Sequence, residues 1–192
     1  MNLKQVLTLN GFTQLTKGHP WLRTFHFKKS CALPKVPCVY PLGEHWFLVS
    51  PQSLIPCRRL GPLQAYWPDN SHAREMIVTN EDFLYRFSSP LIDIFTRCYE
   101  TKKKLVSGDG CFRWLFSEND GIPGLIVDCI GTDIMAQIGT APIEYFWPAL
   151  QQILKASLEN SGLENFVIHA SRDMPSRTQE GLEISHLELE EK

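Results

Sequence analysis

Apolar residues recur every four positions at Phe83, Phe87, Leu91 and Phe95, a spacing that gathers side chains on one helical stripe. The helix they predict opens at Thr79 with a capping-box-like start, and Glu81 and Asp82 stand in its positive first turn. Pro90 should kink or split it. Lys102, Lys103 and Lys104 fall at its far end, where cations suit the dipole, so this run reads as a solvated helix end sooner than as an RNA patch. Gly108-Asp109-Gly110 stops the helix. Short β-prone runs follow at Phe112 to Ser117, Leu125 to Cys129 and Ile134 to Ile138, joined by the turn formers Glu118 to Gly121 and Ile130 to Asp133. A second helix is expected from Thr140 to Asn160, with Ile143, Phe146, Leu150, Ile153 and Leu154 as its apolar face and Gly162 as its cap. A last strand is expected from Asn165 to Ala170, and the tail from Glu180, with five glutamates, should fray.

The first 70 residues have a different pattern. Leu3, Gln5, Leu7 and Leu9 alternate with Lys4, Val6 and Thr8, a weak strand signal ending at Asn10-Gly11. Prolines at 20, 34, 37, 41, 51, 56, 62 and 68 leave no room for a long helix. Between them lie Cys38-Val39-Tyr40 and Trp46 to Val49, so this part reads as a β-rich module with at most one helix, near Phe12 to Lys17. The fold class is therefore α+β: a β-rich unit over 1–70, an α-β-β-β-α-β unit over 71–185, and an acidic tail over 186–192.

Charge separates the same two units. Residues 1–70 hold eight Lys/Arg against Glu44 and Asp69, a balance of +6, whereas residues 71–192 balance at −8. A basic lobe on an acidic body points to a polyanionic partner, with chance variation between small domains as the alternative. Hydrophobic residues make up 43% of the chain, enough for a packed core. No apolar run approaches the roughly 20 residues needed to span a bilayer. The first ten residues lack a signal-peptide pattern, so we expect a cytoplasmic protein with no membrane partner.

Motifs for chemistry are scarce. The six cysteines, at 31, 38, 57, 98, 111 and 129, contain no C-x-x-C pair, and the histidines pair at neither i+3 nor i+4, so no metal site is expected. Reduced, mostly buried thiols are the expectation. Pro37-Cys38 and Pro56-Cys57 could be read as nucleophile sites, but no cofactor loop or base stands near them in sequence. No glycine-rich phosphate loop is present, which leaves the chain without a predicted cofactor site or catalytic residue. Glu118, Asp120 and Asp128 form an acidic cluster, yet the first two fall in a turn sequence where Asp accepts backbone hydrogen bonds.

The segment Phe112 to Gly131, with Glu118, Asp120-Gly121-Ile122-Pro123-Gly124-Leu125-Ile126-Val127-Asp128 and Gly131, resembles a motif of the SAM-dependent 23S ribosomal-RNA cytosine-C5 methyltransferases. That motif runs roughly E-x-D-G-L-P-G-L-x-V-D-R-[YF]-G. Lys17-Gly18-His19-Pro20-Trp21 resembles the R-G-H-P-W element of the family's PUA domain. Ile168 to Leu182, with Asp173, Arg177, Glu180 and Gly181, resembles the segment that closes its middle domain. The three occur in order and cover nearly the whole chain. Three departures stand out: Cys129 replaces an arginine, Ser171 takes another arginine's place with Arg172 one position later, and the segment 43–53 is short.

The resemblance implies a PUA pseudo-barrel followed by a middle domain, the RNA-targeting portion of an enzyme of rRNA methylation and processing. The SAM-binding catalytic domain would lie beyond this chain, which would be a cut piece, a truncated gene product or one half of a split protein. The implied partners are RNA, 23S rRNA above all, a methyltransferase domain from a longer chain, and a second copy in a dimer. A free-standing or decayed RNA-binding protein, or a docking module for a separate methyltransferase domain, are the alternatives. The implied RNA-binding residues are Lys17, Gly18, His19, Trp21 and Arg23. The chemistry agrees, since Gly18 would let backbone approach a phosphate and Lys17 and Arg23 would supply charge. Trp21 could stack on an unpaired base or belong to the core. His19, alone in its turn, reads as a structural residue sooner than a catalyst.

Overall fold

The computed structural model describes residues 7–17, 19, 21–23, 26–29, 33, 35–42, 45–50, 57–60, 77–107 and 110–185. Several sequence expectations concern residues outside that set: the start of the first strand, Cys31, residues 43–44 and 51–53 of the short segment, the crossing at 70–76, Gly108-Asp109 and the tail over 186–192.

Among the described residues the architecture is α+β, built on two four-stranded sheets. Helix α1, Leu9–Thr16, comes first. Its cap is Thr8, whose side chain accepts from Gly11 N at 3.1 Å. Asn10-Gly11 is thus helical and not the end of a strand, because the Thr8 cap and a close approach settle the local choice. A Cβ on Gly11 would stand 2.5 Å from the His26 carbonyl oxygen.

Four antiparallel strands follow: β1 (Trp21–Leu22), β2 (Cys38–Leu42), β3 (His45–Val49) and β4 (Cys57–Arg59), in the order β1-β4-β3-β2. Side-chain alternation gives this sheet two buried faces. Leu22, Cys38, Tyr40, Phe47, Val49 and Cys57 pack with Leu7, Leu15 and Phe27 in one cluster. Val39, Trp46, Leu48 and Leu60 join the larger cluster of the second half.

Helix α2, Asn80–Lys103, starts as expected at Thr79, whose side chain accepts from Asp82 N at 3.1 Å. The stripe of Phe83, Phe87, Leu91 and Phe95 is buried. Pro90 does not split the helix: it is buried within one continuous run, where packing outweighs the missing backbone bond. Lys102 also departs from expectation. It is half-buried, and its Nζ donates to Asp120 Oδ2 at 2.6 Å and to Trp114 O at 2.8 Å, so it ties helix to sheet.

The second sheet runs β5 (Phe112–Phe116), β6 (Leu125–Ile130), β7 (Asp133–Ile138) and β8 (Val167–Ser171) in that spatial order. The first three form an antiparallel meander, and β8 pairs parallel to β7. The crossover between them holds α3 (Ala141–Tyr145) and α4 (Trp147–Asn160), not the single helix expected. Pro148 explains the break, for it has no N–H to give to Glu144 and instead occupies the first turn of a new helix. The five apolar residues predicted for this face are all buried. Gly162, φ 74°, ends α4 as expected, with Leu163 N donating back to Leu158 O at 3.0 Å. The tail holds together further than expected, to an Arg172–Ser185 bridge.

Candidate nucleic-acid interface

The segment from Lys17 to Arg23 runs off the end of α1 and along β1. The Lys17 N–H closes the helix on Thr13 O at 3.0 Å, and the His19 N–H reaches Gln14 O at 3.1 Å. Lys17 and His19 are both exposed, and Gly18 lies outside the described residues. In β1 the alternation sends Leu22 fully inward and leaves Trp21 36% exposed, which removes Trp21 from the core. The Arg23 guanidinium lies 5.5 Å from the centre of the Trp21 ring, within cation–π range. Neither Lys17 nor Arg23 meets a carboxylate among the described residues.

His26 holds the segment from behind. It is buried, its Nδ1 accepts the Arg23 N–H at 3.0 Å, and its own N–H donates to Arg23 O at 3.0 Å. Its carbonyl accepts from Thr8 N at 2.8 Å and Thr8 Oγ1 at 2.9 Å, which ties the turn to the start of α1. Burial lowers the His26 pKa, a backbone hydrogen bond with Arg23 opposes that shift, and repulsion from Arg23 and His19 adds to it.

Sequence reasoning passed over Arg58, the cross-strand partner of Trp21. Arg58 pairs with Glu118 of the second half at 2.9 Å, so Trp21 stands beside the junction of the two sheets. The Arg58-Arg59 doublet was the available signal.

The acidic cluster is structural. Ser117–Asp120 forms a 3-10 turn, in which Asp120 accepts from Phe116 N and Lys102 at 2.6 Å each. Asp128 pairs with Arg113 at 2.8 Å. Gly121 and Gly124, at φ 83° and 88°, and Ser117 Oγ accepting from Gly124 N at 2.8 Å complete a turn that positions β6. The closing motif also secures the fold: Arg177, 3% exposed, donates to Glu144, Ile138 O and Glu183 O, and Arg172 joins it on Glu144.

The thiols follow the same pattern. The described cysteines are free, and Cys38, Cys57 and Cys129 are buried. Burial pushes the Cys38 thiol up to about 11 and Cys129 up to about 12, and raises Cys57 as well. They are poor nucleophiles at neutral pH. Among the described residues there is no metal-ligand cluster and no helix long and apolar enough to cross a membrane.

No family model matches the sequence, and no curated protein matches it either. Solved structures do. The chain resembles a candidate SAM-dependent methyltransferase from Streptococcus mutans with a TM-score of 0.55 at 11% identity, over 86% of this chain and 39% of that one. It also resembles a candidate methyltransferase complexed with SAH, with a TM-score of 0.54 at 13% identity, over 84% of this chain and 38% of that one. The chain therefore shares the fold of about two fifths of each of these longer proteins.

Proposed function

We propose that this chain is the RNA-targeting portion of a SAM-dependent rRNA cytosine-C5 methyltransferase. In this reading residues 1–70 are a PUA-like RNA-binding domain and residues 71–185 the middle domain. Methyl transfer belongs to a SAM-binding domain outside the chain. The observation that carries the reading is the outward Trp21 ring with Arg23 against it, with the exposed Lys17 and His19 just before it in sequence. An exposed ring offers any unpaired base a stacking face, while uncompensated cations draw phosphates. The acidic second half, at −8, would discourage RNA from wrapping around it and favour the basic lobe. The fold shared with two fifths of longer candidate methyltransferases supports the placement as one portion of such an enzyme.

The test is fluorescence anisotropy of the purified chain with a structured 23S rRNA fragment at 50 and 200 mM salt. Each phosphate contact contributes a slope of roughly 0.7 to 0.9 in log K against log salt. Lys17 and Arg23 together would then account for about 7- to 12-fold of the affinity lost over that fourfold change. Replacing both with alanine should flatten the salt response by that factor. Absence of binding at 50 mM by a chain that is folded by circular dichroism would overturn the RNA role.

A further inference from the structure

The second half contains a cavity that neither the fold nor the RNA reading uses. It has a volume of about 370 Å³ and lies where the last turn of α2 meets the start of β5 and the β6–β7 turn. That volume is within the range of small-molecule pockets, about 300 to 1,000 Å³. Tyr99 and Phe112 form an aromatic wall, their ring centres 5.4 Å apart at 60°. Leu163 adds an aliphatic side, and Cys129, 2% exposed, lines the interior.

Two polar groups complete the lining. Lys103 Nζ lies 3.4 Å from the Tyr99 hydroxyl and 5.4 Å from the centre of its ring. Thr132 lines it from the exposed β6–β7 turn. Lys103 is the one charged side chain among the described lining residues, and no carboxylate pairs with it among the described residues. Two acids next to lining residues are engaged elsewhere, Asp128 with Arg113 and Asp133 with His169. The carbonyls of the last helical turn are also occupied, since Leu105 N and Val106 N bond back to Lys102 and Lys103 at 3.1 Å. The cavity thus sets one ammonium with no carboxylate partner among the described residues beside aromatic walls, in a half of the protein with a net charge of −8. That favours a small monoanion over a polyanion.

We propose that this cavity binds a small planar acid, an aromatic or heteroaromatic monocarboxylate, with its ring against Tyr99, Phe112 and Leu163 and its carboxylate at Lys103 and Thr132. The experiment is isothermal titration of the whole chain with 2-naphthoate and with its neutral analogue 2-naphthalenemethanol. Naphthoate should bind at least about tenfold more tightly than the alcohol, the margin expected of a hydrogen bond to a charged group. Lys103→Met should bring the two within about twofold of each other, and Thr132→Trp should block both by filling the mouth. Lys103 and Thr132 are exposed, so both variants are expected to fold, and circular dichroism checks this. The proposal is overturned if naphthoate and the alcohol bind equally well or not at all, if Lys103→Met leaves naphthoate binding unchanged, or if adenosine monophosphate binds more tightly than naphthoate.

Discussion

Phe87 shows how strongly the two halves depend on each other. It is fully buried on α2, with Trp46 of the first sheet edge-on at 5.4 Å and Phe83 at 4.9 Å. Phe87→Ala removes a phenyl ring from a cluster that joins Val39, Trp46 and Leu48 to the core of the second half. Losing the transfer energy and leaving a cavity costs about 3 to 5 kcal/mol. Alanine's better helix propensity returns at most ~0.7 kcal/mol, too little to offset it. With a urea dependence of about 2 to 3 kcal/mol per M, the midpoint should fall by about 1 to 2.5 M. Fluorotryptophan NMR reads the two halves separately, with Trp46 for the first sheet and Trp114 and Trp147 for the second half. All three resonances should lose their native signal at one urea concentration and move together in the variant. If Trp114 and Trp147 shift while Trp46 stays, the shared core does not couple the halves and the reasoning fails.

Three further outcomes are expected. Trp21→Ala should weaken RNA binding by about 1 to 3 kcal/mol, and anisotropy should show an unchanged salt slope, because stacking releases no counterions. Gly124→Ala should lower thermal stability by several kcal/mol on the order of 2 to 5, since φ is 88° and the new Cβ would stand 2.3 Å from Thr140 Oγ1. His26 contributes a pH dependence: its folded pKa lies below 6.5, so its contribution is complete above pH 6.5 and lost as pH falls through the folded value. Urea midpoints at pH 7.5 and 5.5 should fall more in the native chain than in His26→Gln, and equal falls would remove His26 as the cause.

The elements with strong local signals were legible in sequence. The Phe83–Phe95 stripe, the Thr79 cap, the three-strand meander and the Gly162 cap each depend on neighbours within a few residues. Where the reading failed, a distant partner decided. Asn10-Gly11 looks like a turn until the His26 carbonyl is placed against Gly11, and Lys102 looks solvated until Asp120 is placed beside it. The exposure of Trp21 depended on which face β1 presents, and two residues of strand carry too little pattern to show that. The most specific motif, Glu118 to Asp128, names a fold because its residues build a turn: glycines at positive φ, an aspartate on backbone and lysine, a serine beneath Gly124. It carries information about architecture and none about a reaction.

The first residue of α2 has a part in the timing of folding. The Asn80 side chain donates to Tyr145 O and accepts from Ala149 N, both at 3.1 Å, so it completes the start of a helix 69 residues further on. A ribosome adding about 5 to 20 residues per second needs roughly 3 to 14 s to cover that distance. During that interval the meander can close on its own local contacts. Phe83 of α2, which stacks on Phe146 at 4.7 Å in the finished fold, still lacks that cover. The start of α2 is thus finished only when α4 has emerged, several seconds after the helix itself is made.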